Sequence, residues 1–256
     1  MTYCLVLKLD EGLVCLSDTR TNAGLDDISR YRKMFTWTGD DRAVALMSAG
    51  NLSITQGVVD RLDQAVKAAE RGEAYQDDLG VDEGETVLSV PTLFRLAQII
   101  GLKMRALTNR HREPIEREGA AAGASIILAG QTRGAEPRAF LIYSAGNFIE
   151  CSADTPYFQI GETKYGKPII DRTIRPETAL ADGVKTALVS MDSTIRSNLS
   201  VGLPLDLAVL PTDALRFRTL RRIEEGDPVY SAIADGWSGA LGAALSALPD
   251  VGEWMA

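Results

Sequence analysis

The sequence predicts an α+β fold of four layers, αββα, in which two stacked antiparallel sheets are each covered by helices. Two observations carry this prediction. The chain opens with β hairpins, continues with two amphipathic helices, and then repeats hairpins and helices before returning to β structure. Single strands do not alternate with helices, and no repeat of about 20 to 50 residues is present, which disfavours a doubly wound parallel sheet and a solenoid.

The first hairpin places an acidic side chain next to the start of the chain. Apolar, β-prone runs at residues 2–9 and 12–18 are separated by the turn-forming segment 10–12. In this register Asp18 ends the second strand opposite the beginning of the first. We therefore expect the Asp18 carboxylate near Thr2.

A second hairpin, from 33–37 to 43–48, leads into the first helical layer. The turn at 48–51 contains small residues and precedes a helix predicted over 54–66, so backbone N–H groups are left free for an anion there. A polar segment, 71–85, is predicted as a surface loop. A second amphipathic helix is expected over 90–108.

The second half of the chain repeats this order. A charged connection is expected at 110–118. The later strands are predicted at 125–130, 138–143 and 147–151, as a second sheet, and at 205–210 and 216–220. The later helices are predicted at 165–172, at 176–197 and from 227 onward.

A single domain accounts for the whole chain. Its 256 residues are 45% hydrophobic, and domains of up to about 250 residues commonly form one core. We expect one domain over 1–256 with a helical extension over about 227–256. The Gly- and Ala-rich second half of that extension is expected to pack on another subunit.

Charge and hydropathy exclude several kinds of partner. The net charge of -8 argues against a nucleic-acid surface, because phosphate binding needs concentrated positive charge. No run approaches the roughly 18 apolar residues that a membrane span needs. The start of the chain lacks the features of a secretory signal, so we expect a cytoplasmic protein without membrane or nucleic-acid partners.

The cysteines and the histidine exclude some catalytic chemistries. Cys4, Cys15 and Cys151 have no metal-like spacing, and the first two are expected to be buried apolar residues in a reducing compartment. The one histidine, His111, lies in a charged segment. A histidine-based triad, a zinc site and any other cofactor are therefore not expected.

Thr2 is the candidate nucleophile. Methionine before a small residue is generally removed in the cytosol, and loss of Met1 would give Thr2 a free α-amine beside its own hydroxyl. Nucleophile and general base would then lie on one residue. On its own, an apolar strand that starts at residue 2 is just a strand; Lys33 alone could end a strand and Asp18 alone could belong to a turn.

Taken together, these residues resemble the proteasome β-type subunit family of N-terminal-nucleophile hydrolases. The chain is also similar to the bacterial protease HslV and most closely to the bacterial proteasome homologues called Anbu. The similarity covers about the first 225 residues. The segments that carry it are Thr2, Ser17-Asp18-Thr19-Arg20-Thr21-Asn22-Ala23-Gly24, Lys33 and Met47-Ser48-Ala49-Gly50, with weaker matches at 158–161 and 196–202.

The resemblance implies an αββα fold and a threonine peptidase. By it, Thr2 is the nucleophile and its amine the base. Lys33 lowers the pKa of these groups through its positive charge, and Asp18 holds Lys33 charged and oriented. The further residues it implies are Ser200 in the catalytic site, a backbone N–H of Ala49 or Gly50 for the oxyanion, and Thr21, Asn22 and Asn51 for substrate binding.

Two positions around Thr2 depart from the family pattern. Ser197 stands where proteasome β subunits carry an aspartate, and Glu162 stands where they carry a serine. Both are expected to lie just behind the residues that contact substrate, where the missing aspartate weakens the network that poises the amine. Slow cleavage or an unusual substrate would follow.

Three functions stay open at this point. The first is a peptidase self-assembled into a ring or a helical particle, with an ATPase partner that the sequence does not identify. The second is an amidohydrolase that acts on a small or modified amide. The third is an assembly scaffold whose site is weakly active or inactive.

Overall fold

The structure is a computed structural model that describes residues 2–22, 28–80 and 84–255. The strands are β1 Tyr3–Leu9, β2 Gly12–Asp18, β3 Arg20–Asn22, β4 Ile28–Arg30, β5 Met34–Thr38, β6 Arg42–Gly50, β7 Ala124–Thr132, β8 Arg138–Tyr143, β9 Phe148–Glu150, β10 Tyr157–Gly161, β11 Leu205–Pro211 and β12 Thr219–Ile223. The helices are α1 Leu52–Glu70, α2 Leu93–Arg117, α3 Lys167–Thr173, α4 Leu180–Ser197 and α5 Pro228–Ser246, followed by a short 3-10 helix at Gly252–Met255.

The first sheet holds the start of the chain between two neighbours. Its strand order is β10-β1-β2-β11-β12, so β1 is paired on both sides. The β1–β2 register sets Cys4 opposite Ser17, which brings Asp18 to the beginning of β1, as the hairpin predicts. The tight turn between the two strands fixes this register. A slip of one residue would turn every side chain to the other face of the sheet.

The second sheet corrects the assignment of strands to sheets. Its order is β5-β6-β7-β8-β9, so the second hairpin belongs with the later strands rather than with the first hairpin. Strands β6 and β7 pair over nine residues, from Arg42 opposite Thr132 to Gly50 opposite Ala124. Helices α1 and α2 lie between these two strands in the chain, so no local sequence pattern predicts that the strands pair.

Three apolar clusters define the four layers. One lies between the second sheet and helices α1 and α2, and a second lies between the first sheet and helices α3, α4 and α5. The third lies between the two sheets and includes Cys4, Met47 and Ile127. The αββα fold class expected from the element order is thus confirmed.

Helix α2 is longer than predicted. It continues to Arg117, through the segment expected to be a charged connection, and contains Pro114. Proline within a helix removes one backbone hydrogen bond. Side chains support this last part instead: Arg117 pairs with Glu113 one turn earlier at 2.5 Å, and Arg110 pairs with Asp78 of the preceding loop.

The strand expected at 216–220 lies three residues later, as β12. Asp213 and Leu215 take positive φ values of 62° and 50°, so the connection after β11 uses more residues than a tight turn would. Pairing begins at Thr219, which faces Val209. The cluster of arginines at 216–222 is therefore split between this connection and the strand.

The loop at 71–85 is not wholly a surface loop. Asp77 is 7% exposed and forms an ion pair with Lys103 of α2, which is 1% exposed. A buried charge is stable only when it is paired. This ion pair therefore holds the loop against α2 at Asp77.

Burial makes all three thiols unreactive, as expected for apolar packing. Burial raises the pKa of Cys15 and of Cys151 to about 12 and raises that of Cys4 well above the ordinary value. At about pH 8 only about one Cys15 thiol in 10⁴ would be ionised, and the thiolate is the reactive form.

We predict that the native protein reacts slowly with a disulfide reagent such as Ellman's reagent at about pH 8. Because the folded-state pKa is raised, the rate should keep rising with pH past about 8.5, where an ordinary thiol levels off. The same protein in concentrated guanidinium chloride should react at once at all three cysteines. A native thiol that reacts within seconds would contradict the buried assignment.

Candidate active site

Thr2 lies at one end of the stacked sheets, beside a cavity. The residue directly precedes β1 and is 9% exposed. Tyr3 packs into the core under α3 and α4, whereas Cys4 packs between the sheets, so strand alternation directs Thr2 to the side between the sheets. The cavity measures about 280 Å³. Its lining residues are Thr2, Thr21, Lys33, Ser48, Ala49, Gly50, Leu52, Thr55 and Gly161.

Lys33, one of the lining residues, belongs to a buried ion pair. Lys33 Nζ donates to Asp18 Oδ1 at 2.8 Å and to the carbonyl oxygen of Arg20 at 2.5 Å. The Lys33 side chain is 4% exposed and that of Asp18 is fully buried. Burial raises the pKa of Asp18, and the Lys33 charge and the N–H groups of Tyr3 and Gly202 oppose that rise.

The main chain of Thr2 is held by the first sheet. Glu162 N–H donates to the carbonyl oxygen of Thr2 at 2.7 Å, and Tyr3 N–H donates to Asp18 Oδ1 at 3.0 Å. Gly161 has a φ of 85°, and a Cβ there would lie 1.9 Å from the Thr2 carbonyl oxygen. Only glycine fits this approach. The Thr2 carbonyl is therefore held by the backbone of β10 and Glu162, and the next N–H, that of Tyr3, by the Asp18 carboxylate.

Strand alternation predicts the direction of the N–H of Gly50, a residue that lines the cavity. Ser48 N–H donates to Lys33 O at 3.0 Å on the β5 side, and Asn51 N–H donates to Gly123 O at 2.9 Å on the β7 side. Successive N–H groups of a strand point to opposite sides. The N–H of Ala49 therefore faces β7, and that of Gly50 faces the side where β5 has ended.

The three residues expected to bind substrate are placed differently. Thr21 lines the cavity. Asn22 ends β3, and its side chain lies outside the described part of the structure. Asn51 caps α1: its side-chain oxygen accepts from Ser53 N–H at 3.1 Å and its amide donates to Ala121 O at 3.1 Å. Its side chain is thus already engaged.

Of the residues expected behind the site, Glu162 comes nearest to Thr2. It directly follows Gly161, is 6% exposed, and its carboxylate accepts from Asn198 Nδ2 at 3.1 Å. Ser197 is exposed at the end of α4, and Ser200 is half-buried in the loop that follows. Neither serine lines the cavity among the described residues.

Sequence reasoning missed the anchor formed by Tyr3. Its hydroxyl shares a hydrogen bond of 2.6 Å with Ser190 Oγ of α4 and accepts one from Gln159 Nε2 of β10. Burial raises the pKa of Tyr3, so the hydroxyl stays neutral. The only signal in the sequence is a tyrosine in an otherwise apolar strand, since a buried hydroxyl needs a partner.

Comparison with solved structures decides the family. Anbu (ancestral beta-subunit) from Yersinia bercovieri is 39% identical, with 97% of this chain and 98% of that chain covered and a TM-score of 0.86. This chain is a member of the Anbu family. Anbu from Hyphomicrobium sp. strain MC1 is 38% identical over 97% of this chain and 98% of that chain, with a TM-score of 0.83. The Anbu chain of a Pseudomonas aeruginosa structure described as a helical assembly is 38% identical, with 97% of each chain covered and a TM-score of 0.86.

Other comparisons add nothing to this relationship. Neither the family models nor the curated proteins give a match. The proteasome-like fold inferred from the resemblance is confirmed by the Anbu structures. Over residues 2–22, 28–80 and 84–255, this Anbu protein has no helix that is long and apolar enough to cross a membrane.

We predict that Gly161→Ala displaces Thr2. The added methyl would meet the Thr2 main chain, which cannot move without breaking β1–β10 pairing. Urea unfolding should show a loss of about 2 kcal/mol or more, through overpacking and left-handed strain combined.

Gly134→Ala is the matched control. Gly134 also has a positive φ, 75°, but a Cβ there would meet nothing within 4 Å. Its loss should be limited to backbone strain of about 1 kcal/mol. Equal losses in the two variants would show that the contact with Thr2 carries no weight.

Proposed function

We propose that this Anbu protein is a proteasome-type threonine peptidase that hydrolyses peptide bonds with Thr2 as nucleophile after removal of Met1. One observation carries the proposal: Lys33, which is held by the buried Asp18 carboxylate, lines the same cavity as Thr2. The Lys33 side chain is 4% exposed, is paired with Asp18 and lies in the same cavity as the Thr2 hydroxyl. A lysine with only a structural role at a strand end would remain in water, so its burial here supports a functional role.

Thr2 supplies both nucleophile and base in this proposal. Met1 lies outside the described residues, and its removal would leave the Thr2 α-amine free. The amine, acting directly or through a water, takes the proton of the Thr2 hydroxyl as its oxygen attacks the peptide carbonyl. The carbon–nitrogen bond then breaks, the amine proton passes to the leaving nitrogen, and water hydrolyses the remaining ester.

Lys33 tunes this chemistry through its charge. A positive charge beside Thr2 favours the deprotonated hydroxyl and the neutral amine. Asp18 and the Arg20 carbonyl hold the ammonium in one position, so no reorganisation is needed when charge develops. Lys33 is thus assigned the central electrostatic role, and Asp18 the role of holding it.

The oxyanion is assigned to the N–H of Gly50 rather than to that of Ala49. Strand alternation leaves the Gly50 N–H on the cavity side, while the Ala49 N–H faces β7. Loss of one such donor costs about 3 to 4 kcal/mol of transition-state stabilisation in a comparable enzyme. Thr21 and Asn22 of β3 are assigned to the bound peptide strand, and Asn51, which caps α1, supports the adjacent turn.

The particle is proposed to be a self-assembled oligomer in the cytoplasm. A relative from Pseudomonas aeruginosa is described as a helical assembly. In this chain the C-terminal extension exposes large apolar side chains, with Leu245 at 71% and Trp254 at 87%. Exposed apolar surface of this kind is typical of an interface. An ATPase partner is left unassigned.

A specific observation also favours the second candidate, an amidohydrolase on a small or modified amide. Glu162 puts a buried carboxylate one residue from the Gly161–Thr2 contact, where proteasome subunits carry a neutral serine. A carboxylate at this position would favour a substrate that carries a cationic group close to Thr2. Turnover of peptide libraries against small amides separates this candidate from the peptidase.

We predict that an electrophile directed at N-terminal threonine, such as an epoxyketone or a β-lactone, forms a covalent adduct at Thr2. The mass of each chain should rise by that of one inhibitor molecule. Intact mass before the reaction should show the loss of Met1. Thr2→Ala should abolish labelling. A correctly processed protein that never labels would instead support the scaffold function.

We predict that Lys33→Ala lowers turnover about 100-fold or more while the oligomer is retained, because the charge that activates Thr2 is lost. Sedimentation would check the assembly and steady-state kinetics the activity. Lys67→Ala, which removes an exposed lysine of α1, is the control and should keep full activity. Unaltered turnover in Lys33→Ala would refute the role assigned to this lysine.

A further inference from the structure

A second hollow adjoins the Thr2 cavity. It measures about 460 Å³ and is more open to solvent than the Thr2 cavity. The two hollows share Ala49, Gly50 and Gly161, so they lie on either side of one ridge. The other residues of the second hollow are Gly123, Ala124, Ser125, Tyr143, Ser144 and Ala145.

The ridge between the hollows is built from backbone. Gly50 has a φ of 100° and approaches β7 so closely that a Cβ would lie 2.4 Å from Gly123 O. Gly161 approaches Thr2 more closely still, since a Cβ there would lie 1.9 Å from the Thr2 carbonyl oxygen. A peptide that crosses this ridge would therefore meet main-chain atoms and no bulky side chain.

The lining of the second hollow is uncharged. Its side chains are those of alanine, serine and one half-buried tyrosine. Ser144 Oγ is already engaged with the N–H and the carbonyl of Ala124, each at 2.7 Å. Among the described residues no hydrogen bond engages the hydroxyl of Tyr143 or that of Ser125, so these hydroxyls and the tyrosine ring are available to a ligand.

We propose that this second hollow, here called the leaving-group hollow, binds the side chain of the residue that follows the scissile bond. The inference rests on the proposed peptidase function. The residue it favours is uncharged, either aromatic or aliphatic, and packs on the ring of Tyr143. A charged side chain would meet no charged partner among the lining residues.

The order of the chemistry assigns the two parts of the substrate to the two hollows. After attack, the acyl part stays bonded to the Thr2 oxygen, in the cavity that also holds Lys33. The carbon–nitrogen bond breaks, and the downstream part leaves as a neutral amine with the proton from the Thr2 ammonium. The more open hollow across the ridge suits the part that departs first.

Gly123 offers a way to fill the hollow without disturbing the fold. It is exposed, its φ is outside the left-handed region, and an added Cβ would meet only Ser144 Oγ, at 4.0 Å. Gly123→Leu should therefore fold and occupy the hollow. The matched control is Ala120→Leu, at an exposed residue of the same segment outside the hollow.

The test measures cleavage of two peptides that differ only after the scissile bond, one with phenylalanine there and one with aspartate. The wild type should prefer phenylalanine by about tenfold in kcat/KM. Gly123→Leu should abolish this preference, and Ala120→Leu should keep it. Tyr143→Ser, which removes the ring but leaves the hollow open, should also weaken it.

A short β-lactone that reaches only Thr2 distinguishes a failure of the leaving-group hollow from a failure of the proposed peptidase function. If Gly123→Leu labels like the wild type yet keeps the phenylalanine preference, the leaving-group hollow is refuted and the peptidase stands. If the processed wild type neither labels nor cleaves either peptide, the proposed function fails and this inference fails with it.

Discussion

The ion pair between Lys33 and Asp18 is the constraint on which the rest of the site depends. The two side chains come from segments that pack in different sheets, and both are nearly inaccessible to water. A lone charge at that depth would be strongly destabilising, so each partner requires the other. The packing of the two sheets therefore sets a fixed positive charge in the cavity beside Thr2.

The part of the site that sequence could predict is the part that short-range geometry controls. The tight turn at 10–12 sets the register of β1 and β2, and that register alone takes Asp18 to the start of β1. Lys33 is different: its approach to Asp18 requires the packing of two sheets. The resemblance to the proteasome family supplied this contact, which residue patterns alone left open.

Contacts far apart in sequence were not predictable. Glu162 holds the Thr2 carbonyl across 160 positions, and Tyr3 reaches Ser190 of α4 through its hydroxyl. The full length of α2 was not predicted for the same reason. Its charged half is anchored by an ion pair between Arg110 and Asp78, and Asp78 lies on a separate loop. Periodicity describes one face of one element, whereas these features arise where elements meet.

The double pairing of β1 has a further consequence for Thr2, the proposed nucleophile. Residues near a chain end are ordinarily mobile, and immobilising such a group during a reaction costs entropy. Here Glu162 and Gly161 on one side and Asp18 on the other fix the main chain around Thr2. The loss of freedom is thus completed when the protein folds, and in the proposed reaction the Thr2 main chain would not need to be immobilised again. None of these contacts uses the Thr2 hydroxyl or its α-nitrogen, the two groups to which the proposed chemistry is assigned.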